Sequence, residues 1–84
     1  MTTEYDKAIK NLTQAIEVFD TLSKLSILGD DEIRTFSNSL YYRGISYLNL
    51  HKYSFAKKDF EKILNINPSD VEVRQILMDI SKLI

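Results

Sequence analysis

Cysteine is absent from this chain of 84 residues, which excludes disulfides, thiolate chemistry and the common structural zinc sites together. Glycine occurs twice and proline once, and no P-loop, dinucleotide fingerprint or strained nucleophile turn is present. Positive charge is not in excess either. Eleven basic residues face twelve acidic ones, for a formal net charge of -1, which disfavours a nucleic-acid binder of the usual electrostatic kind. No apolar run approaches the roughly 18 residues of a membrane span, and Met1 to Lys10 mixes polar and charged residues where a secretory signal would be apolar. A cytosolic or nuclear setting fits, and cytoplasmic is the expectation. With 44% hydrophobic residues the chain suffices for one small domain. At this size only about 60% of the unfolded surface is buried, so the fold must be economical or borrow surface from a partner.

Helical periodicity dominates what remains. Tyr5, Ala8, Leu12, Ala15, Phe19 and Leu22 alternate steps of three and four, with Ile9, Ile16 and Leu25 widening the stripe, which predicts a helix over residues 4–25. Gly29 is a plausible stop through the left-handed conformation that often closes helices. Asp30, Asp31 and Glu32 place negative charge at the start of a second helix over 31–49, with Ile33, Phe36, Leu40, Gly44 and Tyr47 on its buried stripe. Tyr41, Ile45 and Leu48 lie beside it, so two faces of this helix are expected to be covered. A third helix over 53–66 carries Tyr53, Ala56, Phe60, Ile63 and Leu64 inward, with Lys57, Lys58, Asp59, Glu61 and Lys62 expected to point to solvent. Pro68 ends it. Ser69 and Glu72 have the spacing of a capping box for a fourth helix over 70–83, with Val73, Ile76, Leu77, Ile80 and Leu83 inward. No segment shows the alternation of a strand, so the fold class is all-α with about four helices.

The succession Leu40, Gly44, Tyr47, Tyr53, Ala56, Phe60, Ile63, Leu64, Pro68 resembles the tetratricopeptide repeat. The departure is Arg43, where leucine is common in that family. Gly44 and Ala56 are small, which lets two antiparallel helices approach closely, and Tyr47 and Phe60 fill the space on either side. Tyr5, Ala8, Leu12, Ala15 and Ile16 repeat the spacing that starts at Tyr53. They lie about 48 residues earlier, against a repeat period of about 34. The excess falls between Val18 and Phe36, as longer helices around an acidic corner, and such long junction helices look like those of the large immunophilins and related co-chaperones. The resemblance implies one domain over residues 1–84: residues 4–25 as the second helix of a partial repeat, 37–69 as a complete repeat and 70–84 as a capping helix. A unit of this kind does not bury its apolar side alone, so either the helices repack into a compact four-helix arrangement or a second chain covers the first helix.

Candidates for chemistry are few. His51, the single histidine, lies in a turn with no second imidazole to share a metal. Asp30, Asp31 and Glu32 lack the spaced ligands of a calcium loop and read as helix capping. Asn11-Leu12-Thr13 matches a glycosylation acceptor but falls inside a predicted helix. No enzyme, no metal site and no cofactor is expected. The tetratricopeptide resemblance implies a ligand groove on the leading helix of the unit, here Asn38, Tyr41, Tyr42, Ile45, Leu48 and Asn49. The chaperone clamp of that family grips terminal carboxylates with lysine, arginine and asparagine. This chain departs from it, with Tyr42 where a clamp arginine or asparagine stands and Asn38 where lysine is common. An aromatic and aliphatic groove suits an extended or helical apolar peptide; alternatively these side chains pack on the first and fourth helices. The expected function is a protein or peptide interaction module, with self-association into a homodimer, or a chaperone co-factor, as alternatives.

Overall fold

The computed structural model describes residues 3–84. The apolar stripes form four helices, α1 (Thr3–Lys24), α2 (Asp30–Asn49), α3 (Tyr53–Ile66) and α4 (Val71–Ser81), joined by short turns. Each packs on its neighbours in sequence: α1 on α2, α2 on α3 and α3 on α4. The result is an open stack of antiparallel helices with extents of 36 × 29 × 16 Å, rather than a four-helix bundle in which the first and last helices close on each other. The central helix α2 therefore has two covered sides, as its broad apolar circumference requires.

The α1–α2 and α2–α3 turns each reverse through a non-glycine residue in the left-handed region. At the end of α1 the Ile27 N–H donates to the Leu22 carbonyl and the Ser26 N–H to that of Ser23, with Ser26 in the left-handed region at φ 57°. At the end of α2 the Lys52 N–H donates to the Tyr47 carbonyl and the His51 N–H to that of Leu48, with His51 at φ 59°. These bonds are the Schellman pattern that satisfies the last carbonyls of a helix. Gly29, expected to take the left-handed role, is extended instead (φ -84°, ψ -179°) and stands at the N-cap of α2; the chain has already turned at Ser26, so nothing is left for Gly29 to reverse.

The start of α4 also differs from expectation. Asp70, not Ser69, is the N-cap, its carboxylate accepting from the Val73 N–H at 3.1 Å, while the Ser69 hydroxyl donates to Asn67 Oδ1. A carboxylate at the cap also complements the helix dipole, which favours it over a hydroxyl one residue earlier. Asp70→Ala is expected to cost about 1 kcal/mol and Ser69→Ala to leave the urea midpoint almost unchanged, whereas a Ser69 cap requires the reverse order.

The core runs through all four helices: Ile16 from α1, Phe36 and Leu40 from α2, Ala56, Phe60 and Ile63 from α3, Val73 and Ile80 from α4. Its tightest point is the crossing of α2 and α3. Ala56 and Phe60 are wholly buried, and the Phe60 ring lies on Gly44. A Cβ there would meet Phe60 Cζ at 2.7 Å, closer than real side chains approach. The buried hydroxyls of Ser39 and Ser46 donate to the carbonyls of Thr35 and Tyr42 one turn back in α2, so their burial leaves no unpaired group.

One expected solvent-facing residue is in the interior. Asp59 is only 3% exposed and is held by Arg43 in a two-pronged ion pair, Nε to Oδ2 at 2.8 Å and Nη2 to Oδ1 at 2.6 Å. The remaining arm of Arg43 donates to the Thr13 hydroxyl at 3.1 Å, so one guanidinium joins α1, α2 and α3. Arginine suits this position because its planar fork matches the carboxylate and fixes helix register. The hydrogen bond to Asp59 raises the Arg43 pKa above its ordinary value, so the guanidinium keeps its charge. At the surface, Lys62 bridges from α3 to Asp20 of α1 at 2.7 Å, a contact in solvent that adds little to stability.

Candidate functional site

Between the middle of α2 and the start of α4 lies a groove of about 310 Å³. The turn at Pro68 brings α4 back beside α2, and the stack places the first turn of α4 opposite the α2 face that carries Asn38, Tyr41 and Tyr42. The floor is apolar, from the buried Ile63 and Val73. One wall is Asn38, Tyr41 and Tyr42; the other is Asp70 and Glu72.

Packing fixes this geometry from beneath. The Tyr41 ring stands edge-on to Phe60 at 6.0 Å and edge-on to Tyr42 at 5.6 Å, arrangements favoured by the ring quadrupoles. The Tyr41 hydroxyl donates to Glu72 Oε1 at 3.1 Å and ties α2 to α4 across the groove. Partial burial, then the hydrogen bond to Glu72 and the charge of that carboxylate, hold the Tyr41 hydroxyl above the usual phenol range. Tyr42 has no such restraint and leaves 60% of its surface open.

The six residues expected to line the ligand surface separate into groups. Asn38, Tyr41 and Tyr42 share the groove. Ile45 and Leu48 are half-buried and pack against the core. Asn49 is exposed at the end of α2, and its side-chain amide donates to the Ile45 carbonyl, which closes the helix. Asp70 and Glu72 had no place in the expected site. No local signal in the sequence reveals them, because they belong to a different helix; only the stacking of α4 on α3 brings them opposite Tyr41 and Tyr42.

A larger hollow, about 450 Å³, lies under the corner between α1 and α2 and is lined by Ser23, Ser26, Leu28, Ile33, Phe36 and Ile66. No charged group faces it, and it coincides with the lengthened junction of the two helices. Val18 on α1 and Leu25 in the turn that follows it remain 59% and 63% exposed. Asp30 and Asp31 lie exposed in the first turn of α2, and among the described residues no group of three or more acidic or histidine side chains is placed to hold a metal ion. Among the described residues no helix is long and apolar enough to cross a membrane.

Comparison with known proteins adds one match. Residues 37–70 match the family model of the tetratricopeptide repeat, whereas no curated protein and no solved structure matches the chain. The matched span takes in α2 from Ser37 onward, all of α3 and the turn into α4. The chain thus carries a tetratricopeptide-repeat motif within an all-α array of antiparallel helix pairs.

Proposed function

We propose that this chain is a non-enzymatic, cytoplasmic interaction module that receives a segment of a partner protein in the groove between α2 and α4. Helical repeats of this type function in general as protein-binding surfaces, and the observation that carries the reading to this groove is Tyr42. It is a large aromatic side chain, more than half exposed, standing beside Tyr41, which packing and hydrogen bonding hold in place. Aromatic anchors of this kind supply most of the binding energy at protein interfaces. The lining holds carboxylates and no lysine or arginine, which argues against the co-chaperone role of gripping a carboxylate terminus.

The test is a random dodecapeptide library panned against the immobilised chain. Peptides are expected whose affinity falls at least tenfold on Tyr42→Ala while the melting temperature stays within about 2 °C; recovery of no peptide sensitive to Tyr42 removes the reading.

The exposed Val18 of α1 and Leu25 just after it support self-association as a second reading, since two large apolar side chains there are open to a second copy. Light scattering over a dilution series decides it. A monomer mass at every concentration retires the homodimer.

A further inference from the structure

Resting on that interaction reading, we propose that the groove between α2 and α4 selects a basic side chain, so that the partner segment is anchored by a lysine or arginine. Four features of the lining point the same way. The floor of Ile63 and Val73 is apolar and suits the methylene stem that both residues carry. The exposed Tyr42 ring, set edge-on to Tyr41, offers a π surface to a cation. The opposite wall carries the carboxylates of Asp70 and Glu72, and no lysine or arginine lines the groove. Neither carboxylate is in an ion pair among the described residues.

Each acid keeps acceptor capacity. Asp70 uses Oδ1 to cap α4, and Glu72 uses Oε1 to hold the Tyr41 hydroxyl, which leaves one oxygen of each for a ligand. The N-terminus of α4 itself contributes only about half a positive charge, so two full negative charges decide the sign of the groove. An acidic segment would meet carboxylates of like charge, and a purely apolar one would leave the Asp70 and Glu72 side of the groove without a partner. A lysine or arginine satisfies stem, ring and carboxylates together.

Sequencing the Tyr42-dependent peptides from the library separates this inference from the reading beneath it. Lysine or arginine is expected at one shared position in most of them. Replacing that residue by norleucine should weaken binding at least tenfold, Glu72→Gln should weaken it at least fivefold, and Asp70→Asn, which keeps a capping side chain, should weaken it in the same direction. Raising the salt from 0.1 to 0.5 M should also weaken it, as expected for partly exposed charges. Tyr42-dependent peptides without a shared basic residue, or affinities indifferent to Glu72→Gln, overturn the basic-anchor inference and leave the interaction module standing. Absence of any Tyr42-dependent peptide removes both.

Discussion

Replacing Asp59 by alanine is expected to destabilise the protein by about 3–5 kcal/mol, the loss typical of breaking a buried ion pair from one side. Arg43 keeps its charge, is only 17% exposed, and would be left with the Thr13 hydroxyl and the face of the Tyr47 ring at 5.9 Å in place of a carboxylate. For a domain of this length, total stability is about 4–12 kcal/mol, so this loss removes at least about a quarter of it. The pair itself need not stabilise the fold relative to apolar residues, because desolvating two charges offsets much of their attraction. Arg43→Met combined with Asp59→Leu should therefore recover most of the loss. Urea denaturation followed by circular dichroism measures both. A single substitution costing under about 1 kcal/mol, or a double variant as weak as the single one, counts against the ion pair as the joint of α1, α2 and α3.

Phe60→Ala is the second large effect, with an expected cost of about 3–5 kcal/mol for removing a wholly buried aromatic ring. The ring fills the space above Gly44 and supports Tyr41 from below, so its loss opens a cavity at the helix crossing and loosens one wall of the groove. Peptide binding should weaken beyond what the unfolded fraction explains. Phe55 makes the contrast, since it is 55% exposed and only stacks on Tyr47. Phe55→Ala should cost well under half as much. Equal costs at the two positions would place the core elsewhere.

The helices were legible in the sequence because alternating steps of three and four survive any detail of packing. Asp59 was misplaced by its charge, although its spacing was informative: it stands three residues after Ala56 and four before Ile63, on the buried stripe. A charge at core spacing in one helix, with Arg43 at core spacing in another, is the signature of a buried pair. The ends of the helices were less legible, since Ser69 and Asp70 are adjacent candidates for one cap and only the path of the turn decides between them. On the groove, Asn38, Tyr41 and Tyr42 share one face of a single helix and could be found from periodicity. Asp70 and Glu72 could not, because the wall they form exists only after α4 has folded back across α3.

The central physical claim is that α2 and α3 cross where Gly44 leaves room for the Phe60 ring. A double-mutant cycle between Gly44→Ala and Phe60→Leu, read as urea midpoints, addresses it most directly. In the wild type, the added methyl should destabilise by about 1–3 kcal/mol through overpacking. With leucine at position 60 the clash is relieved, and the same methyl should be neutral or should stabilise by up to about 1 kcal/mol, the helix preference of alanine over glycine. Equal effects of Gly44→Ala in both backgrounds would contradict a close contact between these two residues, and with it the crossing that positions the groove.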